Sequence, residues 1–544
     1  MRVRVKSTDR VASRLRRVRA RQTSGRRLPA TREPAVPPST VPDPPWLAHL
    51  PPGLGPGAVD LFAGGSLTGR WLQHWSEDGG RVALVDDDGA ITAAELEERS
   101  REVAGRLATV GLVRGDRLLM SAATSVPLAV AYVAALRLGL VVVPVNTAYR
   151  AREVAHVVAD AGPAAALVDD EERAGWIRDA TGERSIPVLG VAVGGPRAAA
   201  ATEVMDDLDA NHLDDPALML YTSGTTGLPK GAPLTHRNLL SSASAVALAW
   251  RWTPEDRLVL ALPLFHLHGL GVGLNGTLTA GATAILRRTF DPHDVLDAVA
   301  AHRASLFFGV PTMYARLASS GRLAGLAGLR LCVSGSAPLP VDLHHEVAEV
   351  GRQRIIERYG MTETVMNVSN PHDGERRPGT VGLALPGVDL RLAEGTDEIE
   401  LRGPNVFGGY WHRPEASAES FDHDWFRTGD VGAFDADGYL RIVGRRKELI
   451  ISGGYNVYPR EVEDVLRGHP GVADAAVVGA PDPDWGEVVV AHVEATGDGI
   501  DQAALLAWAR ERLAPYKRPK RVHLVDALPR NALGKVTKAD LVEP

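Results

Sequence analysis

Residues 221–231 read Tyr-Thr-Ser-Gly-Thr-Thr-Gly-Leu-Pro-Lys-Gly, a run of hydroxyls, glycines and one lysine directly after the apolar segment 217–220. This is phosphate-handling chemistry. Gly224 and Gly227 let the backbone approach an anion closely, the N–H groups and the hydroxyls of Thr222, Ser223, Thr225 and Thr226 donate to its oxygens, and Lys230 supplies a point charge. The Walker pattern, with Gly-Lys-Ser/Thr after four intervening residues, is absent, so an ordinary P-loop NTPase is disfavoured. The competing reading is a flexible, solvated Gly/Thr loop.

Comparable signals recur in order: Glu357-Arg358-Tyr359-Gly360-Met361-Thr362-Glu363, Phe426-Arg427-Thr428-Gly429-Asp430, Gly444-Arg445-Arg446-Lys447-Glu448 and Pro529-Arg530-Asn531-Ala532-Leu533-Gly534-Lys535. From about residue 55 onward their order and spacing resemble the adenylate-forming superfamily of acyl-CoA synthetases, luciferases and peptide-synthetase adenylation domains. Leu264-Phe265-His266-Leu267-His268-Gly269, the segment 358–367 and Gly403-Pro404-Asn405-Val406-Phe407 are similar to the malonyl-CoA synthetase branch.

Activating a carboxylate with ATP drives one anion onto the α-phosphorus of another, so the site must neutralise charge and hold an in-line geometry. The resemblance implies that Lys535 reaches the acyl carboxylate and α-phosphate, from a loop in which Gly534 leaves room. It implies Thr362 at the α-phosphate, and Mg²⁺ held by Glu363 with Thr225. Ser336, Ala337, Pro338 and Glu357, Arg358, Tyr359 and Gly360 become walls of the adenine pocket, with Tyr359 on the base and Met361 serving both nucleotide and acyl group. Asp430 corresponds to the acid accepting both ribose hydroxyls, a role suited to a carboxylate's acceptor capacity, and Arg445 to a ribose contact. Lys447 falls at a hinge, and Gly453 and Gly454 at the loop that meets the pantetheine of CoA. Ile451 stands where many relatives carry lysine, which leaves charge assistance to CoA from that position open.

Each residue also has a plainer reading: Glu363 as a surface carboxylate, Tyr359 as a core aromatic. His266 and His268, two apart on an apolar segment with no third ligand in the motif, read as packing or gating residues before a metal pair; the resemblance sets His266 against the acyl pocket near the α-phosphate. For a malonate-type acid the second carboxylate needs a cation, because burying it unpaired costs several kcal/mol. The resemblance to malonyl-CoA synthetases sets Arg316 on the position that binds this distal carboxylate, with the Ser336 hydroxyl beside it. Alone, an arginine ending a helix is a solvated residue or a partner for the helix dipole.

The motifs must be carried by a helix-covered sheet. Short apolar runs at 82–85, 117–120, 258–262, 306–310 and 329–333 alternate with helical segments such as 91–107 and 125–138, the pattern of mostly parallel sheet covered on both faces. Closer strands at 388–392, 398–402 and 439–443, with an Asp437-Gly438 turn, read as a small antiparallel or barrel-like subdomain. Beyond Lys447 the pattern becomes α+β: helix 459–467, strands 473–478 and 487–493, helix 502–513, strand 522–525. The expected organisation is an extension at 1–54, an AMP-binding α/β domain of two sheets plus the subdomain at 55–446, and a small mobile domain at 447–544.

The 544 residues are too many for one ordinary core, and 45% hydrophobic content suits a globular chain. The single cysteine, Cys332, lies in an apolar run and reads as a buried thiol; a reducing cytoplasm fits. Arg137 interrupts the apolar stretch 126–143, and no run approaches the roughly 18 residues of a membrane span. Residues 1–45 hold 12 Lys/Arg against 3 Asp/Glu, so the tail carries +9 and the remainder −16, for a net −7. This Arg- and Pro-rich tail reads as a solvated extension or a wrongly chosen start codon in preference to a transit peptide or a nucleic-acid or membrane arm, since no aromatic residue interleaves the arginines. The resemblance implies an AMP-forming ligase of malonate, or of methylmalonate, using ATP, Mg²⁺ and CoA. The alternatives are a short- or medium-chain monocarboxylate:CoA ligase and an adenylation enzyme loading a carrier protein in trans. A non-enzymatic nucleotide binder is disfavoured because Lys535 and Glu363 are both present.

Overall fold

The apolar runs form strands that are buried along their whole length, as in Val141–Pro144, Ala165–Val168, Leu306–Gly309 and Leu331–Ser334. Strands buried on both faces belong inside a parallel sheet covered by helices. The computed structural model describes residues 44–192, 207–222, 229–483, 485–497, 499–531 and 535–541. Among these residues there are four sheets.

The first has nine strands. Its centre is parallel: Ile356–Tyr359, Leu331–Ser334, Leu306–Gly309, Arg257–Leu260, Thr283–Leu286 and Val82–Asp86 lie side by side in that order. The second has six strands, parallel from Val188–Gly190 to Pro216–Thr222 and closed by an antiparallel Lys230–Thr235. One large apolar cluster contains residues of both sheets and of the helix Val126–Arg137. That helix is apolar nearly all round, and the arginine that interrupts the run ends it: Arg137 is fully buried but bonded to Asp209 and Glu97, the pairing a buried cation requires.

The helix expected at 91–107 starts later, at Ala93. Gly89–Thr92 pairs antiparallel with Val82–Asp86 as a hairpin, and Thr92 caps the helix Ala93–Thr109 in a reciprocal box with Glu95. The helical period at 93–107 was extended two residues too far, across a strand that shares the same apolar Ile91. The extension expected at 1–54 is shorter than read. Residues 1–43 lie outside the described residues, but Pro45–His49 is a turn whose His49 and Leu50 are buried, with Arg251 donating to both of their carbonyls.

The subdomain is a five-stranded antiparallel sheet built around Trp425–Phe434, linked to the first sheet by the Gly382–Leu440 bridge. Its last strand, Leu440–Arg445, runs through the short turn Arg446–Glu448 into the fourth sheet. There Val472–Asp482 and Gly486–Ala495 form a long antiparallel ladder, Arg521–Val525 adds in parallel, and the helices Pro459–Arg467 and Gln502–Arg512 pack over a separate apolar cluster. Cys332 is buried beside Tyr314, and burial pushes its thiol up to about 12. No helix among the described residues is long and apolar enough to cross a membrane.

Candidate active site

Parallel strands converge at their carboxyl ends, where open α/β sheets place their ligands. Thr222 ends the strand Pro216–Thr222; Ser336 follows Leu331–Ser334; Arg358 and Tyr359 end Ile356–Tyr359. Ser223, Gly224, Thr225, Thr226 and Gly227 lie outside the described residues, as does Gly534. Lys230 opens the strand that returns from the loop, and its ammonium sits 5.2 Å from the centre of the Tyr410 ring.

The densest cluster is cationic. His266, His268, Arg358 and Lys535 lie within electrostatic reach of one another. Burial, with Lys535 and then Arg358 adding to it, lowers His266 to about 3, so it is neutral. His268 is lowered too, chiefly by burial. Its N–H donates to His266 Nδ1 at 3.2 Å, and its own Nδ1 is 3.2 Å from Ser336 Oγ. Ser336 holds a left-handed φ of 70°, uncommon for a residue with a Cβ and of the kind that collects at functional sites. Among the described residues no group of three His, Cys, Asp or Glu could hold a metal, so the histidine pair has no third ligand there.

Arg358 was expected in an adenine wall, but its side chain turns into this cluster. It is 5% exposed, and among the described residues Nε and Nη2 have no hydrogen-bond partner. Burial lowers it to about 9. It lies over Gly335, where a Cβ would come within 2.4 Å of Nε, so the glycine is what admits the guanidinium. Its neighbour Glu357 projects to the opposite face. There the carboxylate accepts from Gly379 N and Leu339 N at 3.1 and 3.4 Å, and burial raises it to about 7. The Glu357 side chain therefore braces two loops instead of walling a pocket.

Arg316 requires the opposite correction. On the helix Pro311–Ser319 the buried residues are Pro311, Tyr314 and Leu317, and Arg316 falls off that stripe. It is exposed, with its guanidinium 4.8 Å from the Phe290 ring centre, so it is not the desolvated partner of a substrate carboxylate. The buried cation is Arg358.

A second cluster joins the strand ends to the junction. Tyr359 donates its hydroxyl to Asp430 at 2.7 Å, and Arg445, the cross-strand partner of Asp430, pairs with it at 3.2 Å. Ala337 and Pro338 are exposed, while Gly360, Met361 and Thr362 are half-buried in the turn after the strand. Glu363 is buried, accepts the Tyr410 hydroxyl at 2.8 Å, and is raised chiefly by burial. Sequence reasoning missed Tyr410, which contacts both Glu363 and Lys230. The Gly-Tyr-Trp run at 409–411 was its only signal, and nothing in it indicates that the ring would lie between two distant motifs.

Lys535 lies half-buried in this pocket although it belongs to the C-terminal region. Burial, and then Arg445, lowers it to about 8. Lys447 is exposed in the turn Arg446–Glu448, which is held by Arg446 on Glu398 at 2.8 Å and Lys538 on Glu448 at 2.9 Å. Gly453 and Gly454 make the two-residue turn between Ile450–Ser452 and Tyr455–Val457, both at positive φ, as a hairpin of that length requires.

The AMP-binding enzyme pattern matches residues 72–411, and that of the AMP-binding enzyme C-terminal domain matches residues 461–535. The chain belongs to the AMP-binding enzyme family. This AMP-binding enzyme is 41% identical over 467 residues to a feruloyl-CoA synthase of Amycolatopsis sp, covering 83% of this chain and 93% of the relative. It is 37% identical over 447 residues to a malonate–CoA ligase of Arabidopsis thaliana, covering 74% of each. Among solved structures, ATP-bound MatB from Rhodopseudomonas palustris matches with a TM-score of 0.80 and 41% identity, covering 87% of this chain and 98% of that one. The AMP-binding enzyme is thus an adenylate-forming protein close to the malonyl-CoA synthetases, within a group of CoA ligases whose acids differ.

Proposed function

We propose that this enzyme is an AMP-forming ligase that joins a short dicarboxylate of malonate type to CoA. The observation that carries the choice of acid is Arg358, a buried guanidinium with two nitrogens lacking partners among the described residues. An uncompensated buried cation is costly, and a carboxylate brought by the substrate would remove that cost with the planar fork geometry an arginine offers.

In this reading one carboxylate of the acid attacks the α-phosphorus of ATP and pyrophosphate leaves; CoA sulfur then attacks the acyl carbon and AMP leaves. Lys535 faces the first carboxylate and the α-phosphate, where positive charge matters most as negative charge shifts in the transition state. Neutral His266 lines the approach without repelling the lysine. Thr362 lies beside the phosphate, Lys230 and the loop before it hold the outer phosphates, and Asp430 with Arg445 takes the ribose once Tyr359 turns to the base. Glu363, a single buried carboxylate fixed by Tyr410, suits Mg²⁺, which takes one or two protein carboxylates and completes its shell with phosphate and water. Bound there, the ion would neutralise phosphate charge. Lys447 would be the hinge about which the C-terminal region turns to bring Gly453 and Gly454 to CoA.

A hydroxycinnamate ligase is the reading favoured by the feruloyl-CoA synthase relative. Pyrophosphate release measured over malonate, methylmalonate, butyrate and ferulate, with the thioester identified by mass, separates the two. Malonate or methylmalonate is expected to be preferred; preference for ferulate or butyrate would overturn the dicarboxylate assignment.

A further inference from the structure

The sheet face that carries Arg358 also carries a cluster of aromatic rings. Arg358 and Ser369 are cross-strand partners, so their side chains share one face of the sheet. Ser369 Oγ accepts the indole N–H of Trp250 at 2.9 Å. The Trp250 and Trp252 rings each meet Phe308 edge-on, with centroids 5.2 Å apart, and stack on one another at 6.4 Å. Phe308 stands on the same face as Arg358: it pairs with Val333, and Val333 pairs with Ile356, two residues before the arginine. All three rings are buried. The packing has no slack on the far side, since a Cβ on Gly276 would come within 2.6 Å of Trp252.

We infer that Trp250, Trp252 and Phe308 form the end wall of the acyl pocket and limit the length of acid the enzyme accepts. The inference rests on the reading of Arg358 as the seat of the second carboxylate. With the first carboxylate at Lys535 and the second at Arg358, each added methylene must go sideways or push the guanidinium back into the rings. Fused and six-membered rings in mutual edge contact do not re-pack around a small intrusion as leucine or methionine would. The wall and the cation are tied together, because Trp250 is fixed by the residue directly opposite Arg358.

The test compares wild type, Phe308→Ala and Phe308→Leu in pyrophosphate release with malonate, succinate, glutarate and ferulate, with a melting curve for each protein. Phe308→Ala is expected to raise the succinate-to-malonate ratio of kcat/KM by about tenfold or more, the scale on which one methylene is discriminated in a packed pocket. Phe308→Leu should shift the same ratio in the same direction by less, and it decides the matter if the alanine variant does not fold. A folded variant that loses activity equally on every acid would overturn the wall, as would efficient use of ferulate by the wild type. Preference of the wild type for butyrate over malonate, measured alongside, would instead overturn the dicarboxylate reading on which the wall rests, whatever the Phe308 variants show.

Discussion

Around Arg358 the protein keeps a guanidinium in its interior with nitrogens unpaired among the described residues, whereas at Arg445 it leaves the side chain about half in solvent and pairs it with Asp430. The first arrangement is costly until an anion arrives; the second is already satisfied and costs little. On the proposed function, the difference separates a seat for a charged group from a corner where a ligand's hydroxyls would compete with existing partners. Arg316 belongs to neither, being exposed over Phe290.

The comparison breaks most severely if Lys535, the member of the cationic pocket that comes from the C-terminal region, is removed. Lys535→Ala is expected to slow adenylate formation about a thousandfold or more, the upper scale for losing a group that meets developing charge. Thioester formation from supplied acyl-adenylate should persist. Near-normal pyrophosphate exchange would take the lysine out of the mechanism.

Arg358→Leu sharpens the contrast between the arginines. Malonate use should fall by about 2–5 kcal/mol in transition-state terms, the range for truncating one partner of a buried charge pair, while butyrate use falls less or rises. Arg316→Ala should leave both acids within about twofold, as for ordinary surface changes. If the two variants behave alike, burial is not what distinguishes them.

At the junction, Lys447→Pro should spare adenylation and impair thioester formation several-fold, because in the proposed mechanism only the second half-reaction requires rotation. Equal losses in both half-reactions, measured separately, would locate the hinge elsewhere.

The pocket's charge also sets a pH limit. Lys535 is held down to about 8, so the free enzyme loses that charge as pH rises through 8, and kcat/KM for adenylation should decline there. The unfolded chain keeps the proton up to the ordinary lysine range, so this group makes folding more favourable as pH rises from 8 toward 10. An activity profile flat from pH 7 to 9.5 would contradict the placement of Lys535. The smallest effect is expected at the N-terminus. Removing residues 1–43 should leave the melting temperature unchanged, whereas removing 1–50 should lower it by a few degrees through loss of His49 and Leu50 packing.

The family was legible because its motifs restrict residue type and order. The alternation of buried strands with helices was legible for the same local reason, and the strand Glu398–Arg402 and helix Pro459–Arg467 have the bounds the pattern suggested. Misreadings came where local pattern is ambiguous. Ile91 suits a strand and a helix equally, and Arg316 suits a pocket and a surface equally.

By itself, then, the sequence determined the family, the order of motifs and the two-part organisation, because these depend on residue type and spacing within a few turns of chain. Only the tertiary structure decided which arginine is desolvated, that Tyr410 lies between Lys230 and Glu363, and that two tryptophans and a phenylalanine share the sheet face that carries Arg358. Burial and unpaired charge are properties of what surrounds a side chain, and those surroundings come from strands tens to hundreds of residues away.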